Sequence, residues 1–289
     1  MWTRGKGCQE LADLLAGARA HRVQGDPAEA CLVQRADLLI SRRLTPAFDL
    51  VDTAVPLDVE VDLVENVVAA VAGGPHSTLA AGVAHRLGLA LGVPASVVSA
   101  YRSEEDAVGA AGVIEDIRMS VPEVEYRIMQ ADDMSDLVSH FGERTLIVFG
   151  APGGTWFQRR VSGPGARLRS SAPAGSVVVQ SAPRRVFQEM GEPVFVAPLL
   201  QAVDTLLIRS ESTLAVADEG RLVGLVRRAR LAEITPDSPV SEVMEDPLSV
   251  GHREPLEAAR PLLPVFGPDP IPVVDDDQFL VGGLTPPAA

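Results

Sequence analysis

Apolar positions change their spacing three times along the chain. Over residues 8–23, Leu11, Leu14, Leu15 and Ala18 recur at helical spacing, and "VDTAVPLDVEVDLVENVV" then alternates in places as a strand does. From Val67 the pattern becomes regular. "VVAAVAGG" predicts a short buried strand ending in glycine, and "STLAAGVAHRLGLALG" carries apolar residues at 79, 83, 87 and 91 before Gly92 stops it. "ASVVSAY", "EVEYRIMQA", "RTLIVFG" and "GSVVVQ" read as four further strands. Helices are predicted in "EEDAVGAAGVIEDIRMSV", in "DDMSDLVSHFGE" and around 164–172. Such alternation predicts an α/β domain built on a five-stranded parallel sheet with both faces covered. Ligands of these sheets sit at the carboxyl ends of the strands.

Beyond residue 183 the spacing changes again, and an internal repeat begins. "EMGEPVFVAPLLQAVDTLL" and "STLAVADEGRLVGLV" are echoed by "VMEDPLSVGHREPLEAARPLL" and "DPIPVVDDDQFLVGGLT". Met190 with Pro193 corresponds to Met244 with Pro247, and Leu222-Val223-Gly224 to Leu280-Val281-Gly282. Each copy reads as an extended lead-in, a helix, a strand, a turn and a second strand. Neither copy buries its apolar face alone, so the two are expected to pack together. The organisation expected is a segment 1–60 with no assignable role, a domain over 61–183, and repeats over 184–235 and 236–289.

A chain of 289 residues with 46% hydrophobic content has room for two ordinary domains. No apolar run approaches the roughly 20 residues that span a bilayer, and "MWTRGKGCQELADLLAGARAHR" lacks the apolar core of a signal peptide. A cytoplasmic protein without membrane contact is expected. The net charge of −14 argues against nucleic acid as a partner. Cys8 and Cys31 have no CxxC spacing and read as reduced thiols, and the five histidines are too scattered for a metal site.

Charge is unevenly placed: residues 1–62, 63–183 and 184–289 carry −3, −3 and −8. Between Glu143 and Glu189 stand seven arginines and no carboxylate. Within that run lies "FGAPGGTWFQRRVSGPGARLRSS", glycine-rich and directly after the fourth predicted strand. Glycines let backbone amides close around an anion. The only lysine is Lys6, so this is no Walker loop, and Arg159 and Arg160 are the available cations. Elsewhere the residues read as structural: Ser77 of His76-Ser77 as a helix cap, Asp132 and Asp133 as helix-start residues, Asp275 to Asp277 as a hairpin turn. No Ser, Cys or Thr stands with a positional histidine and an orienting acid, so no catalytic residue is assigned and a non-enzymatic protein is expected.

With these residues in view, the middle of the chain resembles the universal stress protein family, whose nucleotide binders carry G-2x-G-9x-G followed by Ser or Thr. Gly150, Gly153 and Gly163 keep that spacing, after the strand where the family has it. The tail resembles a tandem pair of cystathionine-β-synthase-type (CBS) repeats, with Met-x-x-Pro and "LVG" in both copies. Together the resemblances cover roughly residues 60–289. They imply a stress-response regulator that binds ATP or another adenine nucleotide, with Mg only as its companion. The implied site comprises Gly150, Gly153, Gly154 and Gly163, Gly73 after the first strand, Arg159 and Arg160, and the strand-edge backbone at Ala100, where the family holds adenine.

The chain departs from both patterns. Ala72 stands where the stress-protein family ends its first strand in aspartate, and Pro164 replaces the Ser or Thr. The CBS pattern G-h-x-T-x-x-D has Arg227 and Arg230 at its Thr and Asp in the first copy; the second keeps Thr285 and loses the acid. The alternative is therefore an interaction scaffold that has lost its ligand. Both resemblances imply a homodimer, for which "SVVVQ" and the small apolar faces of the repeats are the expected surfaces, and a further protein partner is compatible with either reading.

Overall fold

In the computed structural model, which describes residues 1–2, 6–44, 48–132, 134–151, 174–192, 196–198, 206, 211–231 and 234–285, the chain forms two compact units, Met1–Ala182 and Pro183–Ala289. The first runs through helices α1 (Lys6–Ala16) and α2 (Pro27–Val33), then strands β1 (Leu38–Ile40), β2 (Asp52–Leu57) and β3 (Asn66–Val71). It continues with α3 (Pro75–Leu91), β4 (Ala95–Tyr101), α4 (Glu104–Arg118), β5 (Glu125–Gln130), α5 (Met134–Ser139), β6 (Thr145–Gly150) and β7 (Ser176–Gln180).

These strands lie in the order β1-β2-β7-β6-β3-β4-β5. The five strands read from the sequence, β3 to β7, are all present and mutually parallel. The sheet is nevertheless seven-stranded, because the first sixty residues add β2 antiparallel to β7 and β1 parallel to β2. This corrects the role expected of "SVVVQ": β7 is an interior strand flanked by β2 and β6, with Val177 and Val179 at 0% exposure, and offers no face to a partner. The first helix is also shorter than its apolar pattern suggests. It stops at Ala16 because Gly17 takes a φ of 54°, leaving Ala18 in a 3-10 turn.

Period-two alternation divides the core of this unit. Val67, Ala69 and Val71 of β3 face α1 and α3, joining Leu11, Ala80, Ala84, Leu87 and Ile114. Val68 and Ala70 face the opposite way, with Val98, Leu137, Ile147 and Phe149. A sheet apolar on both faces needs cover on both; among the described residues α1, α3 and α4 pack on one face and α5 on the other.

The second unit holds two three-stranded sheets of identical topology. In one, β8 (Val196–Pro198) is parallel to β9 (Thr213–Asp218), which is antiparallel to β10 (Arg221–Arg227). In the other, β11 (Val250–Gly251), β12 (Ile271–Val274) and β13 (Leu280–Leu284) repeat that arrangement. The helix expected in the second copy is mostly a 3-10 stretch, Leu256–Leu262, followed by a four-residue α-helix. Pro261 and Pro264 remove the amides that a longer α-helix needs.

The two copies exchange their lead-ins. Gly191 of the first donates its N–H to Gly283 O of the second at 2.8 Å, while Glu245 of the second bonds Leu225 of the first in both directions, at 2.8 and 3.1 Å. Glycine is required at both crossings. A Cβ on Gly282 would lie 2.9 Å from Met190 Sδ, and one on Gly224 would lie 2.9 Å from Met244 Sδ and 2.8 Å from Glu245 O. Midway between them Arg221 pairs with Phe279, its counterpart in the other copy, and the guanidinium stacks 4.8 Å from that ring. The repeat read from the sequence is thus an approximate two-fold in space.

Candidate functional site

Strand order turns back on itself between β3 and β6, and such a point opens a crevice at the carboxyl ends of the strands. The registers Val71 with Ser99, Ala70 with Phe149 and Gly150 with Val179 bring Ala100, Ala72, Ala151 and Gln180 level across four neighbouring strands. Three residues expected from the sequence, Gly73, Ala100 and Gly150, therefore fall within one residue of a single line along this rim. The other five, Gly153, Gly154, Arg159, Arg160 and Gly163, lie outside the described residues.

Glycine at the rim has a steric reason. Gly73 and Gly74 turn the chain from β3 into α3 with φ of 95° and 79°, which side chains rarely adopt. Gly150 lies so close to the start of α3 that an added Cβ would stand 2.7 Å from His76 Cβ. The backbone of β6 and the first turn of α3 are in direct apposition there.

His76 and Ser77 hold this junction, though not as the sequence suggests. Gly74 is the N-cap of α3, and Ser77, 4% exposed, reaches back into the turn. Its Oγ donates to Gly73 O at 2.9 Å and accepts from Ala72 N at 3.2 Å, so the hydroxyl braces the glycine turn and caps nothing. His76 Nδ1 accepts the N–H of Ser181 at 3.0 Å, tying α3 to the exit of β7. In the neutral ring Nε2 then carries the proton.

The helix starts differ in their tolerance of an anion. Set against a negative ligand, α4 opens with Glu104, Glu105 and Asp106 and a Ser103–Asp106 capping box, and α5 has Asp136 in its first turn. No acid lies in the first turn of α3. A helix N-terminus carries about half a positive charge, so of α3, α4 and α5 it is the amide end of α3, beside Gly73 and Gly150, that has no carboxylate in its first turn. Arg102, directly after β4, donates through Nε to Asp132 O at 2.9 Å and fixes the neighbouring loop. Sequence reading missed Arg102 and the tie through His76; the position of Arg102 immediately past a strand's carboxyl end was the available signal.

Arg227 and Arg230 of the second unit are engaged. Arg227 Nε lies 3.1 Å from Glu245 Oε2, and Arg230 Nε lies 3.5 Å from Glu245 Oε1. Glu245 thus supplies the negative charge that a phosphate would bring. At the matching places of the other copy stand Thr285, exposed, and Gly191. Asp269, 8% exposed, accepts the N–H groups of Ser212 and Thr213 at 2.9 and 2.8 Å, linking the second copy to the first. Asp275 is the turn residue expected, its Oδ1 accepting from Asp277 N and Phe279 N at 2.9 and 2.8 Å. Asp132 accepts Arg102 through its carbonyl and donates its own N–H to Asp136, while Asp133 lies outside the described residues.

Among the described residues no group of three His, Cys, Asp or Glu side chains could hold a metal. No helix there is long and apolar enough to cross a membrane. A cavity of about 800 Å³ opens in the first unit away from the crevice, lined by Glu10, Asp13, Glu60 and Asp62 together with Leu14 and Leu63, and its carboxylates disfavour any anion.

No family model matches the chain, and no curated protein matches it. Solved structures that it resembles include CBS domain pairs. A CBS domain pair/ACT domain protein from Thermotoga maritima is 20% identical, over 35% of this chain and 88% of its own, with a TM-score of 0.33. The CBS-pair protein CBSX2 from Arabidopsis thaliana is 28% identical over 36% of this chain and 89% of its own, with a TM-score of 0.32. CBSX2 in complex with AMP matches at 30% identity, over 35% of this chain and 90% of its own, with a TM-score of 0.31.

Proposed function

We propose that the chain is a non-enzymatic regulatory protein in which a universal-stress-protein-like unit binds an adenine nucleotide, or a related phosphorylated ligand, and a CBS-type pair serves as the regulatory module. The observation that carries this reading is the convergence of Gly73, Gly74 and Gly150 on the acid-free start of α3 at the sheet's switch point. Backbone amides and a helix dipole are what a phosphate group needs. Arg159 and Arg160, a few residues beyond Gly150 in sequence, supply the matching charge. Mg enters only as the nucleotide's companion. Ala72 in place of an acid leaves one nucleotide contact unmade. The crossing lead-ins of the second unit give the module a two-fold arrangement through which a change in one copy reaches the other.

The ligand belongs to the first unit in this reading, because Glu245 already satisfies Arg227 and Arg230 and residues 184–289 carry −8. The test is a thermal melt of the full chain with ATP, ADP and AMP. Binding raises stability by about 2.7 kcal/mol at a hundredfold excess over Kd, a shift of several degrees. R159A/R160A weakens that ligand by about 1.5–3 kcal/mol for each charge-assisted hydrogen bond removed, with the melting temperature of the ligand-free protein unchanged. Absence of any shift, together with no nucleotide released on denaturing the purified protein, would establish the scaffold reading instead.

A further inference from the structure

The two edges of the seven-stranded sheet are treated differently. At the β1 edge, Trp2 forms bridges with both Ile40 and Arg22, Met1 donates to Leu38 O, and Ile40 donates to Met1 O, so that edge is covered. At the other end stands β5, six residues without proline or bulge, paired only with β4 among the described residues. Edge strands that remain single are usually blunted by such devices. The geometry of β5 points to a partner of its own kind: we infer that two copies of this chain join through β5, antiparallel, about a two-fold axis at Tyr126.

The backbone fixes which groups are offered. Ala131 donates its N–H to Tyr101 O on β4. Because successive residues of a strand point their N–H and C=O to opposite sides, Met129, Arg127 and Glu125 also face β4, and Tyr126, Ile128 and Gln130 face the open edge. An axis at Tyr126 makes Tyr126 a hydrogen-bonded pair with its own copy, and Ile128 a second such pair with Val124 of the other copy. Glu125 then stands opposite Arg127 of the other copy in a non-hydrogen-bonded pair, where side chains approach most closely.

Side chains agree with that register on both faces. Glu125 and Arg127 share a face and already pair within the strand, Arg127 Nε to Glu125 Oε1 and Nη2 to Glu125 Oε2, both at 2.9 Å. Their sequence Glu-Tyr-Arg is self-complementary: inverted about Tyr126 it sets each carboxylate against a guanidinium, giving a ring of four alternating charges. On the opposite face Ile128, 42% exposed, comes to lie against Val124, so an exposed β-branched side chain gains an apolar neighbour. Moving the axis by one residue does not keep both matches: an axis at Arg127 sets Arg127 against itself and Glu125 against Met129, and an axis at Glu125 sets Glu125 against itself, with Arg127 opposite Glu123 and Ile128 opposite Pro122.

Sedimentation of the full chain across micromolar concentrations tests this, with circular dichroism confirming that each variant is folded. The native chain is expected to dimerise. R127E sets like charges opposite each other twice, and I128P removes one N–H from the open edge and none from the β4 ladder; each lowers association by about tenfold or more. The exchanged pair E125R/R127E restores it, an outcome that a general charge effect does not produce. A native chain that stays monomeric, a dimer indifferent to R127E and I128P, or an exchanged pair as weak as R127E overturns the inference.

Discussion

Gly150 has no room for even a methyl group, since the nearest atom to an added Cβ is His76 Cβ at 2.7 Å, part of a side chain anchored to Ser181. G150A therefore forces β6 from α3, and overpacking of this kind costs about 1–3 kcal/mol. A denaturant titration followed by tryptophan fluorescence checks it. Cys31 makes a second residue-level prediction. The buried thiol is raised from 9.0 to about 11, chiefly by loss of solvation, with the charges of the Met1 amine and Asp26 secondary. Its neutral form stabilises the fold in full below pH 9; as pH rises toward 11 the unfolded chain ionises first and that stability is lost. C31A should flatten this part of the stability profile between pH 9 and 11, and a profile identical to the native one would contradict the assignment. Gly73 and Gly150 could be selected from sequence because glycine at the end of a predicted strand has few other uses, and Ala100 was selected through the family resemblance alone. The ties made by His76 and Arg102 could not be read from sequence, because their partners, Ser181 and Asp132, are 105 and 30 residues away.

At the scale of elements, alternation along β3 and β4 made the parallel sheet legible in the sequence, as local spacing is all that such strands require. What spacing could not show was which strand β2 would join. An apolar strand buried by a neighbour and one awaiting a partner have the same composition, and only the β2–β7 register separates them. The repeat was legible for the opposite reason: Met190 with Met244 and Gly224 with Gly282 are short, identical signatures, and each marks a crossing of the two copies. G224A and G282A accordingly predict matching losses of about 1–3 kcal/mol in the second unit. M190A should recover part of the loss in G282A, since Met190 Sδ is one of the two nearest atoms at 2.9 Å, the other being Gly191 O. Hydrogen exchange at the amides of β9 and β12 reads both effects, and additive losses in M190A/G282A would show that the sulfur is not what the new methyl meets.

For the whole molecule, the distribution of aromatic residues decides what can be observed. Trp2, Trp156, Tyr101 and Tyr126 all precede residue 183, so intrinsic fluorescence follows the first unit alone, whereas far-ultraviolet dichroism follows both. Nucleotide bound where we propose should delay the fluorescence transition; a delay confined to the dichroism signal would place the ligand among the repeats. The resemblance to stress proteins rests on the spacing of Gly150, Gly153 and Gly163, which is local and therefore legible in sequence.

The pairing of Arg221 with Phe279 is what a symmetry axis leaves behind when two like polypeptides become one. Separate identical chains would be bound to repeat every residue on both sides of that axis, and a carboxylate at one crossing would mean a carboxylate at the other. Joined in a single gene, the halves are free to diverge. Glu245 with Arg227 and Arg230 now closes one side by charge, while Gly191 and Thr285 leave its twin uncharged. The pair thus presents two unlike sites where identical chains would present two alike, and each site takes residues from both halves.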